Sequence, residues 1–138
     1  MKKTIPILLI AMSISFGCKR QSEQDIVAGC ISQMVNLSTA AQDYIVENGN
    51  LSSISSYEEL CIYMYAGIKE PSECAELLNE HINRACKVDS FSFEHTDTTY
   101  EFKAISNNAD GCFVCATENY VVPDDLPSLG CNQKSCKH

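Results

Sequence analysis

No stretch of this chain is long and apolar enough to cross a bilayer. The best candidate, Ile5 to Phe16, is interrupted by Pro6, Ser13 and Ser15. A dozen helical residues reach roughly 18 Å, well short of a hydrocarbon core of about 30 Å. Lys19, Arg20 and Gln21 then end the run. Positive charge is scarce as well: ten Lys and Arg stand against eighteen Asp and Glu, a net charge of −8. That balance argues against nucleic acid as a partner, because its binding rests on basic side chains neutralising phosphates. It also argues against electrostatic docking to anionic headgroups. The carboxylates are scattered, with only Glu58-Glu59 and Asp124-Asp125 adjacent, so no dense acidic metal site stands out. There is no HExxH, no calcium loop, no phosphate-cradling glycine loop, no internal repeat and no low-complexity segment. No cofactor and no catalytic residue is therefore expected.

What the chain does have is cysteine, nine in 138 residues. One of them, Cys18, stands apart from the other eight. Lys2 and Lys3 precede the short apolar run and small residues follow it, the layout of a removable export signal over residues 1–17. The stretch Ser15-Phe16-Gly17-Cys18 resembles the lipobox of bacterial lipoproteins. The resemblance implies cleavage before Cys18, a diacylglycerol on its thiol and an acyl chain, such as palmitate, on the new amine. It further implies a lipid-anchored protein on the extracytoplasmic side of the cell envelope, at the outer membrane. Removing 17 of 138 residues leaves 121, a single small domain. Two basic residues go with the signal, so eight face eighteen acidic ones and the mature charge is −10.

Residues 18–24 read as the lipidated cysteine and a polar tether. From Asp25 the pattern turns helical: Ile26, Cys30, Met34, Leu37, Ala41 and Tyr44 recur at spacings of three and four. Asn48-Gly49-Asn50 ends this helix. Leu51 to Ser55 is a serine-rich loop, and Ser56-x-x-Glu59 reads as a capping box opening a second helix. That helix turns Leu60, Cys61, Met64 and Ile68 inward. Gly67 and Pro71 punctuate the next turn, with Pro71 suited to the first position of a third helix. There Cys74, Leu78, Ile82 and Cys86 form the apolar stripe, leaving Glu73, Glu76, Glu80 and Arg84 to solvent. After Lys87 the period falls to two. Phe91 and Phe93, then Tyr100, Phe102 and Ala104, alternate with polar residues. Asp97-Thr98 and Asn107 to Gly111 mark turns, and Cys112 to Thr117 with Tyr120 to Val122 read as a third strand and its continuation. The expected fold is α+β: three helices, then a small antiparallel meander, over residues 25–122. Residues 123–138 form a cysteine-containing tail pinned to the domain.

Eight cysteines remain: Cys30, Cys61, Cys74, Cys86, Cys112, Cys115, Cys131 and Cys136. In an oxidising compartment they are expected to form four disulfides. Cys61 and Cys74 occupy near mirror positions about the turn at Gly67–Pro71, so a helical hairpin brings them opposite each other. Cys74 and Cys86 lie about 18 Å apart along one helix and cannot pair. Eight thiols allow 105 pairings and spacing narrows them only slightly; Cys30 on the first helix could then take Cys86, and the last four would pair among themselves. Strand alternation puts Cys112 and Cys115 on opposite faces, which favours separate partners. Two other readings compete for these four. The spacing C-x2-C-x15-C-x4-C, with His138 as a spare, resembles a zinc ribbon. Cys112-x-x-Cys115 matches a thiol–disulfide motif, although it falls in a strand and not at a helix start.

His81, His95 and His138 show no spacing that pairs one with a nucleophile. Asn36-Leu-Ser38 and Asn50-Leu-Ser52 match a glycosylation sequon that is silent in a bacterial lipoprotein. Tyr57, Tyr63 and Tyr65 fall on different helix faces, which places some of them at a possible contact surface.

One further resemblance rests on Thr39-Ala-Ala-Gln-Asp-Tyr-Ile-Val-Glu-Asn-Gly49, on Tyr100-Glu-Phe-Lys-Ala-Ile-Ser106 and on Cys112-Phe-Val-Cys115. These look like the end of the long helix and the strands of the globular half of type IV pilins and pseudopilins. Lys19, Arg20, Gln21, Ser22 and Glu23 stand where that family carries its apolar assembly segment. The resemblance therefore implies a pilin-like head on a lipid anchor, an accessory subunit of a secretion or pilus machine, and no filament core. The reading carried forward is a non-catalytic, lipid-anchored envelope protein that binds an envelope or host protein partner or serves structurally.

Overall fold

Helix-forming residues dominate the first third of the chain; no proline follows Pro6 there, and only Gly17 and Gly29 precede Gly49 as weak helix formers. The computed structural model of the chain describes residues 5–108 and 111–119, with side chains from residue 23 onward. In it the first helix, α1, is continuous over Ile5–Asn48. The stretch read as a tether, residues 18–24, is thus helical backbone. Lys, Arg, Gln and Glu are good helix formers and Ser is only a mild cost, so polarity there marks the end of an apolar segment and not the end of a helix. Gly49 closes α1 at φ +90°, its N–H donating to the Ile45 carbonyl at 2.7 Å. This is the left-handed cap that the Asn-Gly pair predicts.

The capping box at Ser56 and Glu59 forms as expected. One Glu59 carboxylate oxygen accepts from the Ser55 N–H at 2.7 Å and the Ser56 N–H at 3.0 Å. These two backbone donors hold the Glu59 carboxyl below the ordinary glutamate range. A group with a lowered folded pKa stabilises the fold above its unfolded value and ceases to as pH falls through its folded value. Glu59 is exposed, so the effect is small. We expect the wild type to lose stability across the acidic carboxylate range, and Glu59→Gln to show a shallower slope there in urea melts recorded from neutral pH downward. Equal slopes would show that the box adds nothing through its charge.

The box opens a shorter helix than the spacing predicts. A 3₁₀ turn, Tyr57–Leu60, leads into a single α-turn, α2, Cys61–Met64. Tyr65 is extended and Gly67 sits at φ +93°, so Ile68 lies beyond the helix. Leu60 and Cys61 are buried, while Met64 and Ile68 pack at the core's margin. α3 spans Pro71–Ala85 with Pro71 in its first turn. Cys74, Leu78 and Ile82 face inward from it, and Cys86 follows as its cap.

Three strands follow: β1 Ser92–His95, β2 Tyr100–Ile105 and β3 Phe113–Thr117, in order β1-β2-β3 and antiparallel throughout. Phe93 pairs with Phe102, and Phe102 with Ala116. Tyr100, Phe102 and Ala104 alternate inward as expected, joined by Val114 and Ala116. Tyr120 to Val122 lie outside the described residues. The fold is the expected α+β, with α1 laid across the inner face of β2 and β3 and with α2 and α3 packed against α1.

Two features of the core escape the pattern. Leu51 and Ile54, in the serine-rich loop, are buried, and the Leu51 N–H donates to the Asp97 carbonyl at 2.7 Å. Cys115 and Thr117 are buried although they sit on the face of β3 opposite Val114 and Ala116. Across the core, the Tyr100 hydroxyl meets Ser38 Oγ at 2.7 Å and donates to the Ser38 carbonyl at 3.1 Å. Burial is the main reason its phenol is pushed above the usual value.

Candidate functional site

Two disulfides fix the helices. Cys30 of α1 joins Cys86 at the end of α3, and Cys61 of α2 joins Cys74 of α3, both pairings that the spacing allows. Their Cα atoms are 5.1 and 5.8 Å apart, within the usual disulfide range. Cys112 and Cys115 are disulfide-bonded as well. Sulfur held in a disulfide offers zinc no thiolate, which weighs against the zinc reading of this motif. Cys115 stands within β3 and Cys112 just before it, not at a helix start. Among the described residues no group of three or more His, Cys, Asp or Glu converges as metal ligands would. Cys131, Cys136 and His138 lie outside the described residues. Cys18 falls on the helical backbone of α1, and its side chain is not among those described.

The tyrosines expected at a contact surface are engaged within the fold. Tyr57 donates to Asn79 Oδ1 and packs edge-on against Phe91, with centroids 4.6 Å apart. Tyr63 packs against Tyr44 and donates to Glu47 at 2.5 Å. Tyr65 meets His81 Nδ1 at 2.7 Å, with the rings edge to face. The two ring nitrogens of His95 lie 3.1 Å from the Thr96 and Ile54 carbonyls.

A shallow cleft of about 280 Å³ lies between α1 and α3. Gly29, Ser32 and Gln33 line it from α1; His81, Arg84 and Ala85 line it from α3. Its position follows from the disulfide. Cys30 and Cys86 pull the helices together, and the small residues beside them, Gly29 and Ala85, allow the approach. A Cβ on Gly29 would stand only 3.5 Å from that of Ala85. One turn along each helix the walls carry polar side chains. His81 and Arg84 are three residues apart on α3 and so share a face. Gln33 Oε1 is the buried side-chain polar atom without a hydrogen-bond partner among the described residues.

No protein family, curated protein or solved structure matches this chain.

Function must then be argued from chemistry alone. A second hollow, of about 270 Å³, is lined by Glu94, His95, Thr96, Thr99, Tyr100 and Glu101. It carries two carboxylates, one of them bonded to Lys103 at 2.7 Å, and so repeats the negative character of the rest of the chain. The α1–α3 cleft has no carboxylate in its lining. It was not legible in the sequence, where His81 pairs with no nucleophile and Arg84 reads as a solvated charge.

Proposed function

We propose that this chain is exported, cut before Cys18 and held by lipid at the extracytoplasmic face of a bacterial envelope, and that its folded head acts as a non-catalytic binding or structural module. The observation that carries the reading is the oxidised state of the head. Cys30, Cys61, Cys74, Cys86, Cys112 and Cys115 are all in disulfides, a density that a reducing cytosol does not sustain. Among the described residues no helix is long and apolar enough to cross a membrane. The lipobox resemblance at Cys18 assigns retention at the membrane to acyl chains, each buried methylene contributing about 0.8 kcal/mol.

Cys18→Ser tests the anchor in a bacterial host. The wild type should partition into detergent, with a mass raised by the lipid and lowered by loss of residues 1–17. The variant should move to the aqueous phase with its disulfides intact. Recovery of unprocessed wild type from the cytosol, with its thiols reduced, would sink the reading.

One observation favours a second assignment, a pilin-like accessory subunit of a secretion or pilus machine. A single long helix ends in an Asn-Gly turn and lays its C-terminal half across an antiparallel sheet. Cross-linked membranes separate the two: a secretion or pilus component captured with the wild type supports the second reading, and its absence from the captured set supports the first.

A further inference from the structure

We propose that the cleft between α1 and α3 is a carboxylate-binding site, with Arg84 and His81 as its cationic and donor wall and Ser32 and Gln33 as its polar floor. The inference rests on reading the head as a binding module and names the chemistry of what it binds.

Charge makes the first argument. Residues 23–119 contain only four Lys and Arg: Lys69, Arg84, Lys87 and Lys103. On so acidic a chain, a concave site lined by an arginine, with no carboxylate in its lining, repels an anion less than the carboxylate-lined hollow at β1 and β2 does. The Arg84 guanidinium contacts Glu80 at 2.6 Å, but both side chains are largely exposed, at 72% and 61%. Exposed pairs of this kind hold weakly. An arriving carboxylate competes with Glu80 for a fork that has donors to spare.

Donor geometry makes the second. The Tyr65 hydroxyl fixes the His81 ring through Nδ1. When that hydroxyl donates, the ring proton sits on Nε2, which has no partner among the described residues and is free to donate to a ligand. Ser32 adds a hydroxyl from the facing helix, and the Gln33 amide adds donors beside its buried oxygen. The buried, unpartnered Gln33 oxygen is itself a cost that a ligand or water with a donor would relieve.

Preorganisation makes the third. Cys30–Cys86 lies one residue from Gly29 on one wall and one from Ala85 on the other, so the walls are fixed covalently before any ligand arrives. Size then limits the ligand. At about 280 Å³ the cleft is at the lower edge of small-molecule sites, which run from about 300 Å³ upward. It fits one carboxylate with a short stem: a small organic acid or a peptide C-terminus.

The test is an NMR titration of the full exported chain, with its disulfides intact, at constant ionic strength. Acetate is the probe and acetamide its neutral counterpart. Acetate should shift the amides of Ser32, Gln33, His81 and Arg84 and the Arg84 Nε–H saturably, with a Kd on the order of millimolar. Acetamide should not. Arg84→Gln, at an exposed position that tolerates change, should weaken acetate about tenfold, and Arg84→Lys should restore part of the loss because a point charge replaces a fork. A tetrapeptide with a free C-terminus, compared with its C-terminal amide, separates the sources: tighter binding than acetate marks a protein terminus, and equal binding marks a small acid. Equal shifts from acetate and acetamide, or an acetate response untouched by Arg84→Gln, overturn the proposal. Membrane attachment and partner capture are read separately, so the cleft can fail while the anchored module stands.

Discussion

Replacing Cys30 and Cys86 together by alanine should cost about 4 kcal/mol, and replacing Cys61 and Cys74 about 3. The difference comes from loop length. The first bridge closes a separation of 56 residues and the second one of 13. In the chain-entropy account a cross-link stabilises by restricting the unfolded chain, and the restriction grows with the logarithm of the loop. Either loss is large beside the roughly 5–15 kcal/mol that holds a domain of this kind together. Neither pair leaves an unpaired thiol when both members change. Urea melts of the two double variants check both the size and the order. If the short bridge proved the more costly to lose, native-state packing at α2 and α3, and not chain entropy, would be what it supplies.

Phe102→Ala should cost about 3–5 kcal/mol, the range for truncating a buried aromatic. Phe102 is fully buried at the centre of β2. Its ring stacks on Phe93 with centroids 4.7 Å apart and lies 5.5 Å from Tyr100 and 6.4 Å from Phe91. Removing it opens a hole that neighbours on a paired strand cannot close, because β1 and β3 hold the backbone of β2 on both sides. Phe102→Leu, which keeps most of the volume, should lose clearly less. Equal losses for the two variants would mean that stacking, and not filled volume, is what the ring contributes.

Much of this architecture is legible in the sequence because its signals are local. The three-and-four spacing from Cys30 to Ala41 marks one face of α1, and the alternation from Tyr100 to Ala104 marks one face of β2. The two helical disulfides are among the pairings that helix length and mirror positions about a turn allow, but those constraints leave many others open. The misses are of another kind. Leu51 and Ile54 plug the core from a segment whose serines read as loop, because burial of a loop is decided by the surface it lies on. Cys115 and Thr117 are buried on the face that alternation assigns outward. The helix opened at Ser56 stops early because Tyr65 is extended and Gly67 adopts a left-handed turn, bends that carry the chain into α3. The cleft is the least legible of all. Ser32 and His81 are brought to one hollow only by how α1 crosses α3, and periodicity describes one helix at a time. Two small residues next to cysteines, Gly29 and Ala85, are the sequence trace of that close crossing.

The unbroken course of α1 also has a mechanical side. Cys30 lies twelve residues beyond Cys18, about 18 Å along the helix axis, and Asn48 about 45 Å. A pull applied at Cys18 would enter the head along a stiff rod and load the α1–sheet contact in shear. Cys30–Cys86 is the first covalent strut on that path, diverting tension into α3 before it reaches the aromatic layer. Stretched from Cys18, the oxidised head should therefore yield at much higher force than the same head with that one strut cut.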